Sequence, residues 1–464
     1  MKTNRVIKIF LASSEELEAD RYRFGNLIRK LDNIYEKRGI RIELFEWEDY
    51  DAAYNGMRKQ DEYNKRVRAS DMFLALFHKK AGKFTIEEFN IARKAFDEQA
   101  SPKIYTYIKD LEAGESESRE LAEFKRLMLE ELGHYWCRYS NFDTMQLHFV
   151  LQLQMVEATT PIKVEVKESQ VKIGDSTIAD LNNVPFTSEN ATHRELQSRK
   201  EQLDREIGNA ESGGRRGFFG QRSRMTDEEL ANLREERESV TEQIERQEKA
   251  LVDTAMSIAR MQGGECSPRM RTAAELFEKG EIDKAEAVLK EDDMEADATN
   301  AKLKFDTAAQ PTAELTRNIE RCAGEYMLKA RIVVSGIADE SRYRQAVKLM
   351  STAIDLVSGR LPEETLAEYL FDYAVLLTDT GQQTKALETW ERLSGIYERL
   401  YRKAPQKYAY GYAGVLNNMA VLYSDKGDFD HCLSKYLKAI DIYDWLDREE
   451  PGIYDDDIAR LKNN

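Results

Sequence analysis

The sequence is poor in proline and cysteine, and it contains no long apolar run. Only 8 of its 464 residues are proline and 24 are glycine, which excludes collagen-like, proline-rich and glycine-serine-linker architectures. The four cysteines form no CxxC pair, so free thiols in a reducing, cytoplasmic compartment are predicted. The longest apolar stretches, such as residues 72–77, are far shorter than the ~20 residues that cross a bilayer. The apolar stretch near residue 6 is too short for a signal peptide.

Positive charge is outnumbered by negative charge. Lysine and arginine number 69 against 85 aspartate and glutamate residues, and the formal net charge is −16. Such a surface repels nucleic-acid phosphates and anionic membranes, so we expect no membrane partner. Residues 213–224 are a local exception, because four arginines surround Phe218 and Phe219 there. The pattern favours a solvated flexible loop. The alternative is a docking point for an acidic partner, either another protomer or nucleic acid, and nucleic acid is compatible with the sequence only at this basic tip.

Residues 1–158 alternate short apolar runs with stretches of helical spacing. The runs that predict strands lie at 6–12, 41–45, 72–77, 103–108 and 135–139. Helical spacing follows at 17–35, in a stretch that ends near 69, and at 85–96, 120–132 and 144–155. This alternation predicts right-handed βαβ units and a parallel α/β sheet that is covered on both faces.

Two smaller segments follow. Residues 160–186 alternate apolar and polar residues around Glu168-Ser169-Gln170, which predicts a β-hairpin linker. Residues 187–265 contain two helical stretches with heptad spacing, which predicts an antiparallel coiled-coil hairpin. Gly208 and the glycine-rich run 213–220 are expected to end the first helix and to form an exposed tip. The second helix begins at a capping box, 226–229.

Residues 266–464 contain an internal repeat. Four copies align on a small residue early in the second helix of a pair, and these residues are Ala285, Ala346, Ala386 and Cys432. Small residues at helix crossings and a glycine in the turn resemble a tetratricopeptide repeat. The spacings between copies exceed the ~34 residues of the consensus repeat, so longer helices or insertions are expected. The stack predicts a concave surface for a protein or peptide partner, and it implies no chemistry.

Several familiar chemical motifs are missing. Gly82-Lys83 lacks the first glycine of a phosphate-binding loop, there is no GxGxxG motif, and the five histidines show no HExxH spacing. His134 and Cys137 are three residues apart, without a second pair that would complete a metal site. The sequence therefore predicts no metal site and no resident cofactor.

Polar residues follow three of the predicted strands, where open parallel sheets bind their ligands. They are Ser13, Ser14 and Glu15 after the first strand, Trp47, Asp49 and Tyr50 after the second, and Glu87 and Glu88 on the helix after the third. The helix dipole alone explains acidic residues near a helix start. Taken by itself, the pattern therefore favours a structural role, and Trp47 and Tyr50 are equally suited to anchor a loop or to stack on a base.

The order of these elements changes that balance, because residues 1–158 resemble a TIR or TIR-like domain of flavodoxin-like fold. Residues 7–14 resemble the opening strand of that family and its polar loop, and residues 45–56 resemble its second strand and BB loop. Residues 67–75 resemble the helix end and third strand, and residues 82–92 resemble the helix start that carries the family's catalytic glutamate. Glu88 fits that position best, because Phe89 and Ala92 follow it at the family's spacing, and Glu87 fits one register worse.

The resemblance implies a TIR-type NAD⁺ glycohydrolase in which NAD⁺ is the substrate. Glu88, or Glu87 in its place, would stabilise the ribose cation, and the residues after the first two strands would contact the rest of NAD⁺. Joined to repeats, such a domain resembles bacterial antiviral modules that act as homo-oligomers. A non-enzymatic TIR-like adaptor or scaffold remains an alternative, as does a nucleoside-processing enzyme of related fold such as a deoxyribosyltransferase.

Overall fold

The computed structural model describes residues 5–37, 39–46, 59–132, 134, 136–156, 164–211, 226–261, 266–336, 339–449 and 454–463. The chain divides into two compact units. One consists mainly of the residues up to Val150, and the other mainly of Asp180 to Glu449. The N-terminal part is an α/β structure with a parallel sheet, and the long C-terminal part is helical.

The first unit alternates strands and helices as the sequence predicts. Its strands are β1 (Arg5–Ser13), β2 (Ile40–Phe45), β3 (Met72–Phe77), β4 (Lys103–Lys109) and β5 (Trp136–Tyr139). Its helices are α1 (Glu18–Glu36), α2 (Lys59–Arg68), α3 (Lys83–Gln99) and α4 (Arg119–Arg126), and α5 (Phe142–Val156) follows β5. A π-helical turn, Leu127–Glu131, extends α4.

Among the described residues the five strands form one parallel sheet in the order β2-β1-β3-β4-β5. Strand β3, at its centre, is buried along its whole length. Every side chain of this strand is apolar because both faces of the sheet are covered. On one face, Phe77 and Phe89 pack against Phe124 with ring centroids 5.1 and 5.0 Å away. On the other, Phe24 of α1 meets Phe149 of α5 at 4.7 Å.

The predicted hairpin is present as β6 (Glu165–Lys167) and β7 (Gln170–Ile173), which pair antiparallel. Its turn has two residues rather than three, because Gln170 already pairs with Lys167. Glu168 and Ser169 both have positive φ, at 53° and 56°, as a type I′ turn requires. A further strand that the sequence did not predict, β8 (Ser176–Asp180), follows, and the short helix α6 (Pro185–Ser188) comes after it.

Helices α7 (Ala191–Glu211) and α8 (Asp227–Met261) form the predicted antiparallel hairpin. Leu203 packs against Val240 and Ile244, and the ion pairs Arg199–Glu236 and Arg237–Asp204 run along its sides. The expectation that Gly208 ends the first helix is wrong, since α7 continues to Glu211. A mid-helix glycine costs only about 1 kcal/mol, and the contacts between α7 and α8 offset that cost. The predicted tip, residues 213–224, lies outside the described part of the chain.

The second half of α8 leaves the coiled coil and packs on the repeats. There the Gln247 side chain lies 3.4 Å from the Ser335 carbonyl oxygen, and Thr254 lies 3.4 Å from that of Arg331. The heptad pattern of α8 does not indicate where this helix leaves α7 and begins to pack on the repeats, because α7 and the repeats both present an apolar surface to the same stripe of α8. The buried carboxylate of Glu248 connects α8 to the turn of the β-hairpin and to α7. It accepts hydrogen bonds from Ser169 at 2.6 Å and from His193 at 2.9 Å.

The repeats are helix pairs, and the aligned small residues all lie in second helices, as predicted. The pairs are α9 (Pro268–Glu278) with α10 (Ile282–Val288), α12 (Ala313–Ser335) with α13 (Glu340–Val357), α14 (Glu363–Asp379) with α15 (Gln383–Lys403), and α16 (Pro405–Asp425) with α17 (Phe429–Glu449). An inserted helix, α11 (Glu291–Thr307), explains the wide first spacing, and α18 (Asp455–Asn463) packs on α17. No helix in the described ranges is long and apolar enough to cross a membrane.

Candidate functional site

The strand order changes direction between β1 and β3, and this switch point is where doubly wound sheets bind ligands. Ser13 pairs in register with Leu76. The loops that follow the two strands therefore begin side by side at the carboxyl edge of the sheet. Two of the three polar segments that the sequence singled out, after β1 and after β3, meet at this edge.

Glu88 lies on the stripe of α3 that faces the sheet. The buried residues of this helix are Thr85, Glu88, Phe89, Ala92 and Ala95, which follow the spacing of one helical face. Only 7% of Glu88 is exposed, and the residue interacts with its surroundings in the fold. A carboxylate on a mostly apolar, sheet-facing stripe is costly to bury unless it is paired or hydrogen-bonded. The burial of Glu88 therefore makes it the residue of α3 for which a functional role is most worth testing.

Glu87 lies one residue away but in a different environment. It is only half-buried, and the Asn64 side-chain amide of α2 lies 3.3 Å from its carboxylate oxygen. One helical step rotates a side chain by ~100°, which takes Glu87 off the buried stripe. The structure thus separates two glutamates that are adjacent candidates in the sequence.

The loop after β1 is held by a buried arginine. Arg21 of α1, 2% exposed, donates hydrogen bonds to the Ser13 hydroxyl at 2.9 Å and to the Ser14 carbonyl oxygen at 2.8 Å. Ser13 therefore faces α1, whereas α3 packs on the opposite face of the sheet. The structure brings Ser13 and Glu88 to the same edge but onto opposite faces.

Ser14 and Glu16 connect the two loops. The Ser14 hydroxyl lies 3.2 Å from the Glu16 carboxylate, which also accepts a hydrogen bond from the Lys79 amide at 3.1 Å. Glu15 begins a short 3₁₀ turn between them. Because Ser14 donates its proton to Glu16, its oxygen keeps the capacity to accept a hydrogen bond from a ligand hydroxyl.

The loop after β3 is further fixed from the other side. Lys79 forms an ion pair with Glu115, and its hydrogen bond holds the pKa of that carboxyl below the usual value. The Lys79 carbonyl oxygen accepts a hydrogen bond from the Ser118 amide at 2.6 Å. His78 Nε2 lies 3.2 Å from Glu115 without hydrogen-bond geometry. The loop that leads into α3 is thus preorganised by charge.

A buried polar cluster that the sequence analysis missed lies at the carboxyl ends of β4 and β5. Asp20 is 4% exposed and accepts hydrogen bonds from Lys109 at 2.9 Å and from the Tyr139 hydroxyl at 3.0 Å. Burial and the Asp20 charge raise the pKa of Tyr139 far above its ordinary value, so Tyr139 remains a neutral donor. The sequence did contain a signal for this cluster. The helical period of α1 places Asp20 and Arg21 on the same buried face as Leu17, Phe24 and Leu31.

Trp47, Asp49 and Tyr50 lie outside the described residues, and their predicted contacts with a ligand stay a prediction. His134 hydrogen-bonds Thr106 at 3.0 Å, and burial lowers its pKa to about 4. It is a neutral, partnered side chain of the core.

A second concave feature lies within the repeats. A cavity of about 320 Å³ opens between α8, α9, α12 and α14. One face of α12 supplies Arg317, Arg321 and Arg331, and α14 supplies Tyr369 and Asp372. Arg331 is paired with Asp372. The cavity has the size of a small-ligand or side-chain pocket.

Comparisons with known proteins add little. No family model and no curated protein matches the sequence. Among solved structures, the chain is similar to a Signal Transduction ATPase with Numerous Domains (STAND) protein with a tetratricopeptide repeat sensor from Pyrococcus horikoshii, at 11% identity and a TM-score of 0.23. The match covers 95% of this chain and 81% of that one. A TM-score this low supports no inference about fold or function.

Proposed function

We propose that the first unit is a TIR-type NAD⁺ glycohydrolase in which Glu88 stabilises the ribose cation. The observation that carries the proposal is the burial of Glu88 on the sheet-facing stripe of α3, after the loop that follows β3. The strand order β2-β1-β3-β4-β5 supports it, because this is the flavodoxin-like order, the one that the sequence resemblance implies.

The chemistry needs one well-placed carboxylate. The nicotinamide of NAD⁺ is already cationic, so it leaves as a neutral molecule with the electron pair of the C–N bond and needs no general acid. The ribose passes through an oxocarbenium-like state, as in glycoside hydrolysis. A fixed carboxylate stabilises that charge most strongly where water is scarce. Water then adds to the ribose carbon and releases a proton, which gives ADP-ribose. Attack by the adenine base, which then loses a proton, gives the cyclic isomer instead.

The other residues have supporting roles in the proposal. Glu87 is the second candidate for the carboxylate. Ser13, Ser14 and Glu15 are assigned to the ribose and phosphates, and the Ser14 hydroxyl oxygen would accept a hydrogen bond from a ligand hydroxyl. Trp47, Asp49 and Tyr50 are assigned to the remainder of the dinucleotide. No metal takes part.

The repeats are the proposed regulatory part. Their concave side, with the cavity between α8, α9, α12 and α14, is assigned to a protein or peptide partner, and the active form is a cytoplasmic homo-oligomer. By the same resemblance, the biological role that we propose is antiviral defence in bacteria, through depletion of NAD⁺.

The test is incubation of the concentrated full chain with NAD⁺ while free nicotinamide and ADP-ribose are measured. The proposal expects nicotinamide and an equal amount of ADP-ribose or its cyclic isomer. Parallel incubations with nucleosides and free bases test the alternative of a nucleoside-processing enzyme. A deoxyribosyltransferase would exchange the bases and leave NAD⁺ intact. Failure to cleave any of these substrates, at the concentrations at which the chain self-associates, would favour the adaptor alternative.

A further inference from the structure

The last repeat carries an apolar stripe on an exposed helix face. Phe429, Leu433 and Leu437 are spaced four residues apart on α17, and they are 71%, 59% and 53% exposed. Residues at this spacing form one ridge of a helix, here about 12 Å long. Isolated exposed apolar residues are ordinary, but a continuous ridge of large ones marks an interaction surface.

The same face of the third repeat is more polar. Aligned on Ala386 and Cys432, the matching positions of α15 are Gln383, Leu387 and Glu391, and its glutamine and glutamate are exposed. The fourth repeat keeps the central leucine and replaces the exposed glutamine and glutamate with phenylalanine and leucine. The stripe is a property of α17 and not of the repeat.

The border of the stripe is acidic. Asp430 lies three residues before Leu433, and Asp441 lies four residues after Leu437, so each adjoins the stripe on the helix surface. Both are exposed. Lys438 is committed elsewhere, since its ammonium hydrogen-bonds the Tyr412 hydroxyl at 2.6 Å. A complementary partner would be a short apolar segment with positive charge around it.

The chain itself contains such a segment. Residues 212–225 hold Phe218 and Phe219 between Arg215 and Arg216 on one side and Arg222 and Arg224 on the other. They follow α7 and precede α8, and α8 first contacts the repeats near Gln247, ~30 Å along the helix from residue 226. This length of coiled coil suits the segment to reach another molecule.

We propose that residues 212–225 of one copy of the chain dock on the Phe429–Leu433–Leu437 stripe of a second copy. The two phenylalanines cover the stripe, and the arginines lie against Asp430 and Asp441. Because every copy carries both elements, the contact links copies into a dimer or a larger assembly.

The test combines a binding and a mass measurement on the full chain. A fluorescent peptide of residues 212–225 is titrated with the chain, and a peptide with Phe218→Ser and Phe219→Ser serves as control. Leu433→Ser should weaken peptide binding ~10-fold or more, as the loss of one buried leucine contact implies. The matched control is Leu303→Ser on α11, which removes an equally large side chain that is 62% exposed and should leave binding unchanged.

Light scattering over a concentration series then tests whether the contact joins two copies. The mass of the wild-type chain should rise with concentration, and Leu433→Ser and the Phe218→Ser/Phe219→Ser chain should both shift that rise to higher concentration. Equal peptide affinity for the wild type and Leu433→Ser would overturn the proposal. So would a chain that binds the peptide yet stays monomeric, because the tip would then occupy its own stripe. Both readouts are independent of NAD⁺ cleavage.

Discussion

The buried guanidinium of Arg21 donates a hydrogen bond to the Ser13 hydroxyl at 2.9 Å and ties the first helix to the end of the first strand. It also binds the Ser14 carbonyl oxygen. Arg21→Met should lower the free energy of unfolding by about 1–3 kcal/mol, because it leaves these acceptors without their donor. Urea denaturation measures the loss. Arg29→Met, on the exposed side of the same helix, should change it by less than about 0.5 kcal/mol, and equal losses would show that Arg21 does not hold the loop.

The neutral histidine of the core predicts an acid-sensitive stability. Burial lowers the pKa of His134 to about 4 from 6.5, so the unfolded chain binds more protons between these pH values. The free energy of unfolding should therefore fall as the pH drops from 6.5 to 4, by up to about 3 kcal/mol. Above pH 6.5 this contribution is fully present.

His134→Gln keeps a polar partner for Thr106 but does not titrate. The difference between the wild type and this variant should shrink, or reverse in sign, as the pH falls through that window. The measurement is urea denaturation of both proteins at several pH values, and a constant difference would contradict a neutral His134.

Two glycines test how tightly the first repeat is packed. Gly280 and Gly381 have similar positive φ, 77° and 69°. A Cβ on Gly280 would lie 2.5 Å from the Pro185 carbonyl oxygen, whereas a Cβ on Gly381 would meet nothing within 4 Å. Gly381→Ala should cost about 1 kcal/mol for the strained backbone alone, and Gly280→Ala clearly more, since the backbone must also shift. Thermal or urea unfolding compares the two. Equal losses would mean that α6 does not pack closely on this turn.

The crossing of the last helix pair tests the proposed role of the repeats. Ala420 is fully buried in α16, and Ala420→Leu should overpack the crossing at a cost of about 1–3 kcal/mol. The neighbouring Val421 is 38% exposed, so Val421→Leu is the matched control. If the repeats assemble the protein, only Ala420→Leu should lower both oligomer mass and NAD⁺ turnover. Loosened repeats with normal mass and turnover would make them a passive appendage.

The sequence predicts the parallel sheet well because each strand is a short apolar run and each helix keeps its period. Strand β3, residues 72–77, has no polar residue and is recognisable without any tertiary knowledge. The geometry of the hairpin turn is harder to predict from the sequence, because glutamate and serine rarely adopt the positive φ that Glu168 and Ser169 have here.

Side-chain placement within the candidate site is harder to predict for a different reason. Neighbouring residues such as Glu87 and Glu88 are equivalent in composition, and only the rotation of α3 against the sheet decides which is buried. Asp20 and Arg21 were recoverable from the period of α1. The Tyr139 partner of Asp20 was not, because 119 residues separate the two in the chain and no local pattern connects them.

The central claim is that Glu88 carries the cleavage of NAD⁺, and the most direct measurement is nicotinamide release by Glu88→Gln beside Glu87→Gln and the wild type at matched concentration. Glu98→Gln, an exposed residue of the same helix that pairs with Arg68, is the control. We predict that Glu88→Gln stays folded and loses ~10²–10³-fold in rate, while Glu98→Gln retains full activity and Glu87→Gln most of it. Full activity in Glu88→Gln would contradict the assignment, and an inactive Glu87→Gln beside it would move the role to Glu87.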